Sequence, residues 1–68
     1  MNKCQDYPNK VFEGVLSHEG HEVRFHILES YVEVTNTNGA MISVNKVDTD
    51  KAIEQQKDLI GMGYKWII

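Results

Sequence analysis

Three histidines, His18, His21 and His26, fall within nine residues of each other in a chain of 68. Imidazole is the commonest metal ligand and the usual general base near neutral pH. If the chain reverses through Glu19-Gly20 as a two-residue turn, His18 and His21 become direct cross-strand neighbours about 5 Å apart. They are therefore the candidate metal ligands. A metal site needs a third or fourth donor, yet Glu19 falls on the turn and Glu22 on the opposite face of the strand. The pair accordingly reads as turn histidines, and no metal or other cofactor is expected.

The same register sets Glu13 across from His26, a carboxylate and imidazole couple of the kind used for general-base work. Neither a nucleophile nor an oxyanion donor accompanies it in the sequence, and the lone Cys4 has no second cysteine to bridge and no neighbouring histidine. No enzymatic activity is expected. The glycines at 14, 20, 39, 61 and 63 never build a glycine-rich strand-to-helix turn, so the chain lacks the backbone cradle that holds a nucleotide phosphate.

A formal charge of −3 comes from ten acidic and seven basic side chains of scattered sign. That balance offers neither a basic stripe for duplex nucleic acid nor a dense acidic patch. One unpaired cysteine fits a reducing compartment, and no apolar run is long enough for a signal peptide or a membrane span. A cytoplasmic protein is expected, of a size compatible with a small prokaryotic or phage reading frame. Sixty-eight residues make one domain, which buries only about 60% of the surface its unfolded chain exposes. Residues 1–9, containing Tyr7-Pro8-Asn9, read as an irregular lead-in.

Between positions 11 and 44 the pattern has period two. Val23, Phe25 and Ile27 alternate with Glu22, Arg24 and His26, the signature of a half-buried strand. The Glu19-Gly20 turn then sets Leu16 opposite Val23, Gly14 opposite Phe25 and Phe12 opposite Ile27. Any even-length reversal around Glu29-Ser30 brings Val32 to Ile27 and Val34 to Phe25. A two-residue Asn38-Gly39 turn would expel Ile42 and Val44 from this apolar face, so a three-residue loop Thr37-Asn38-Gly39 is preferred, pairing Val34 with Ile42 and Val32 with Val44. The fourth strand then spans about Ala40 to Asn45.

Asp48 is suited to cap a helix, with Asp50 in its first turn and Val47 placed to staple onto Ala52. Ala52, Ile53, Leu59 and Ile60 share one stripe; Lys51, Glu54, Lys57 and Asp58 lie opposite. Gln56 falls inside the stripe and reads as a buried amide satisfied by backbone. Gly63 is the expected left-handed terminator, bringing Tyr64 to Leu59. Tyr64 to Ile68 follows as a fifth strand, apolar on both sides and so expected to be covered, either within the chain or by a second subunit.

These elements define an α+β fold: a four-stranded antiparallel meander, a C-terminal helix packed on one face and a short fifth strand at the C-terminus. The second sheet face mixes Val11, Val15, Leu28, Tyr31 and Met41 with charged residues, a composition close to that of transient interfaces. The function expected is that of a non-catalytic interaction or regulatory accessory module. Its surfaces are the free sheet face and the terminal strand, its anchors Tyr31, Met41, Tyr64 and Trp66, and its partner another protein or a second copy of the chain. One alternative is a sheet platform for single-stranded nucleic acid using Arg24, His26 and Tyr31, opposed by Glu13, Glu22 and Glu33 on the same face. The other is a small metal-binding domain built on His18 and His21. Neither a membrane nor a small-molecule substrate is indicated.

Overall fold

The computed structural model describes residues 11–68; the lead-in, Cys4 and Pro8 lie outside the described residues. Strands β1 (Gly14–His18), β2 (His21–Ile27), β3 (Val32–Asn38) and β4 (Met41–Val47) form an antiparallel meander. Helix α1 (Thr49–Gly61) and strand β5 (Lys65–Trp66) follow. The sheet is open, in the order β4-β3-β2-β1-β5.

Two of the three hairpins take the register that polarity and parity require. Glu19 and Gly20 both have positive φ, +50° and +85°, as a type I′ turn demands. Gly14 pairs with Phe25, Leu16 with Val23 and His18 with His21. This ladder ends at Gly14, short of the Phe12–Ile27 pair, because the Phe12 backbone bonds to the helix instead. At the second reversal, Leu28 N–H donates to the Tyr31 carbonyl at 2.9 Å, and Phe25 pairs with Val34, Ile27 with Val32.

The third hairpin differs from expectation. Its turn is Gly39-Ala40, closing on an Asn38–Met41 pair, so that Val34 faces Asn45 and Val32 faces Val47. Only Gly39 has positive φ in this turn, +65°, the requirement of a type II′ hairpin with glycine at its first central position. Relative to the expected loop the register slips by three residues, an odd number, which turns every β4 side chain to the other face. Ile42 and Val44 are therefore on the outer face, away from the helix, and Met41 has the parity of the helix-side face. The physical reason is Val47: the strand runs on to it, and it fills the slot beside Val32 that Val44 was expected to occupy.

The core lies between the sheet and α1. Leu16, Val23, Phe25, Val32, Val34 and Ala52 are buried in one cluster, with Val11, Val47, Leu59, Ile60 and Tyr64 packed against it. Val11 thus belongs to the helix side, not to the second face. Val15, of outer-face parity, is also buried. Complete burial of a side chain of this size contributes roughly 1.5–3 kcal/mol, a large share of the roughly 3–10 kcal/mol net stability expected for a chain of this length.

The helix ends are satisfied locally. Asp48 Oδ1 accepts from Lys51 N–H at 2.8 Å. At the other end Gly63, at φ +105°, donates its N–H to the Ile60 carbonyl, and Tyr64 N–H donates to the Leu59 carbonyl at 3.0 Å. This pair of bonds is the Schellman ending. Fully buried Gln56 acts as a surrogate strand partner. Its Oε1 accepts from Phe12 N–H at 3.2 Å and its Nε2 donates to the Phe12 carbonyl at 2.7 Å, pinning the chain where it enters β1.

The fifth strand lies on the β1 edge, with Leu16 opposite Trp66 and Ser17 opposite Lys65. Ile67 N–H donates to the Val15 carbonyl at 2.9 Å. The apolar terminus is not covered on both sides as its composition suggested, since Ile67 and Ile68 are 53% and 74% exposed. What holds it is Gly14. The Trp66 ring lies over this glycine, and a Cβ there would stand 2.5 Å from the Ile68 carbonyl oxygen and 3.1 Å from the indole. Trp66 also meets Phe12 edge-on at 6.3 Å and Phe25 at 6.4 Å between centroids.

Outcomes are expected at two positions, Gln56 and Gly14. Replacing Gln56 by Ala removes both of its hydrogen bonds to the Phe12 backbone together with a fully buried side chain, and urea denaturation should show a loss of about 2–3 kcal/mol. With Gln56→Glu, the neutral acid can still donate to the Phe12 carbonyl whereas the buried carboxylate cannot. Burial raises the carboxyl pKa in the folded state, so this variant should be relatively stabilised at acidic pH and lose that stability as pH rises. At the second position, Gly14→Ala should dislodge β5 and shift Trp66 fluorescence to the red while β2–β3 amides keep their exchange protection; unchanged fluorescence would contradict the close packing.

Candidate protein-contact surface

The histidine cluster is consumed by packing within the chain. His18 and His21 face each other across β1 and β2, and Tyr64, delivered by the helix ending, inserts beside both. The His21 Nδ1 and Tyr64 hydroxyl share a 2.5 Å hydrogen bond, and the two rings stand 5.6 Å apart edge to face. The His18 ring is tilted over Tyr64 at 5.2 Å. Among the described residues no group of three or more His, Cys, Asp or Glu side chains is placed to hold a metal ion. Tyr64 is thus half-buried against this end of the core, and Trp66 is 37% exposed at the β5 edge.

Outer-face parity belongs to Glu13, Val15 and Ser17; Glu22, Arg24 and His26; Glu33, Thr35 and Thr37; and Ile42, Val44 and Lys46. His26 Nδ1 donates to Glu13 Oε2 at 3.2 Å, with the two side chains 50% and 55% exposed. An open pair of this kind contributes at most about 1 kcal/mol. The Lys46 ammonium stands 5.2 Å above the Tyr31 ring and across from Glu33, so Tyr31 is half-covered by a cation. Arg24, His26 and Tyr31 therefore share a face with Glu13, Glu22 and Glu33, and acids and cations alternate across it.

Strand β4 is different in kind. It is an edge strand of seven residues, six of them, Met41 to Lys46, exposed. Met41, Ile42 and Val44 are 75%, 67% and 54% exposed, while Lys46 is the strand's one charge. Its ladder to β3 is regular from Val32–Val47 to Asn38–Met41, without a bulge. Edge strands are ordinarily blunted by brevity, proline, bulges or inward charges, because their unpaired backbone groups template further pairing. The β5 edge is blunted by brevity, being two residues long; β4 has none of these devices. An apolar recess of about 350 Å3 lies by β5 between Phe12, Glu13, Trp66 and Ile68.

Of the anchors expected from sequence, Met41 is fully available at the β4 hairpin end, Tyr31 lies beside the same strand beneath Lys46, and Tyr64 and Trp66 are engaged on the far side of the sheet. Sequence reading missed Ile42 and Val44 as surface residues, since the assumed hairpin register turned them inward. The signal that could have found them was Val47, a β-branched residue just before the helix cap that completes the apolar row beside Val32 only if the strand extends that far. No described helix is long and apolar enough to cross a membrane. Neither protein-family models, curated proteins nor solved structures give any match to this chain.

Proposed function

We propose that the domain is a protein-contact module without catalytic chemistry, working through the β4 edge and the outer sheet face beside it. The observation that carries this reading is an edge of seven residues with exposed Met41, Ile42 and Val44, a single charge at Lys46, and no proline, bulge or inward charge among the described residues. An incoming extended segment gains main-chain hydrogen bonds along such an edge, while alternate side chains supply selectivity. Ile42, Val44 and the alkyl stem of Lys46 offer apolar area on one side of the added strand, Met41 and Val47 on the other. Tyr31 contributes the aromatic anchor at the rim. The C-terminal strand serves as a secondary edge, its Trp66 and Ile68 forming an apolar notch.

Single-strand nucleic-acid binding draws less support. Affinity for a phosphate backbone comes mainly from unopposed cations, and here His26 is bonded to Glu13 while Lys46 is held over Tyr31. Two members of the residue set that would stack and hold such a strand, His26 and Tyr31, are occupied with their own neighbours, and the third, Arg24, shares its face with Glu13, Glu22 and Glu33.

A photo-crosslinking residue placed at Ile42 or Val44, compared with one at exposed Glu54 on the helix, tests the reading in cells that express the protein. Discrete crosslinked protein species from the β4 positions and none from Glu54 are expected. Equal, diffuse labelling from all three positions would remove the basis for assigning β4 as the contact site.

A further inference from the structure

Resting on the contact-module reading, we infer that the segment β4 accepts is β4 of a second copy, paired antiparallel about a two-fold axis at Val44. The backbone argument comes first. In a two-residue hairpin the closing pair, Asn38 and Met41, exchanges both ladder bonds. Met41, Ser43, Asn45 and Val47 therefore direct their N–H and C=O groups to β3, and Ile42, Val44 and Lys46 direct theirs outward. An antiparallel partner must present the same parity, and a second β4 does so when its Val44 meets Val44.

Side chains select that axis among the registers the backbone allows. Only with Val44 at the centre do all seven residues from Met41 to Val47 find partners, over about 24 Å of strand. Val44 then meets Val44, and Met41 meets Val47. Ser43 meets Asn45, and Ile42 meets Lys46. Apart from that last pair, apolar faces apolar and polar faces polar, and Ile42 rests on the lysine's alkyl stem. No two charges are opposed, because the strand's one cation lies four residues from its symmetry mate and is already held beside Glu33 and over Tyr31. An axis at Lys46 would set two ammonium groups face to face.

The result is a continuous sheet of two copies. Ile42 and Val44 of each subunit then form one apolar strip on the outer face, and both β4 edges disappear. A ribbon of this length falls short of the roughly 1,200 Å2 of a standard interface, so a reversible dimer in the micromolar range is expected.

The test uses the purified full chain. Sedimentation velocity over a concentration series up to about 1 mM should show a monomer–dimer equilibrium. Val44→Lys, which places two cations on the axis, should raise its dissociation constant about tenfold or more, with thermal unfolding little changed because Val44 is half exposed. In a Cys4→Ser background, Val44→Cys should form a disulfide-linked dimer under mild oxidation, since residues paired on the axis stand about 5.5 Å apart. Ile42→Cys should not, because its symmetry mate is four residues away. The cysteine comparison remains decisive if Val44→Lys fails to fold. A chain monomeric throughout the series, a dimer indifferent to Val44→Lys, or equal crosslinking at 42 and 44 would overturn the inference. In the first case, crosslinks from β4 to a different protein in cells would leave the contact-module reading standing; their absence as well would remove both.

Discussion

Phe25 sits where β1, β2, β3, β5 and the helix meet. It is fully buried at the middle of β2, paired with Gly14 on one side and Val34 on the other, and packed in one cluster with Ala52 of the helix. A large ring directly across from a glycine leaves room above that glycine, and the Trp66 indole enters there. The absence of a side chain at position 14 is thus the condition for closing the β1 edge with β5. Elsewhere the sheet depends on the same ring: shifting β2 by one residue would expose Phe25 and bring Arg24 or His26 inward, at a cost in charge desolvation that exceeds what any turn preference supplies.

From this constraint the asymmetry of the molecule follows. The helix starts at the end of β4, crosses the sheet above Val32, Phe25 and Leu16, and delivers Tyr64 to the histidine pair at the far hairpin. Its buried polar residue, Gln56, takes up the Phe12 backbone just ahead of β1. Resources for holding the chain together are thereby concentrated over β1 and β2. Toward β4 they thin out, with Asn36, Ser43 and Asn45 on the helix-side parity and Ile42 and Val44 turned outward. A small domain with little core stabilises itself at one edge of the sheet and leaves the other edge chemically suited to pairing.

Much of this was legible without coordinates. Alternation in β2 identified the buried face, and parity alone set the β1–β2 and β2–β3 registers, because any other choice buries charge. The Asp48 cap, the Gly63 terminator and the Tyr64–Leu59 contact are local chemistry, readable from a few neighbouring residues. The backbone-bonded amide of Gln56 was foreseen as a class of interaction; its partner, 44 positions distant, was not.

Sequence by itself determined the fold class, the two hairpins with a single polar-compatible register, and both helix ends, since each rests on an energetic penalty local to a few residues. Tertiary structure alone decided the third hairpin, the edge that β5 joins and the fate of the histidines. In the β3–β4 pair two registers both bury some valine, and the choice between them hinges on whether Val47 is strand or linker, which depends on where the helix must begin. The placement of β5 was settled by the vacancy over Gly14, a property of two strands already paired. Those two outcomes, one leaving the β4 edge unpaired among the described residues and the other closing β1, set the two edges of the sheet, and neither is encoded in any short stretch of the chain.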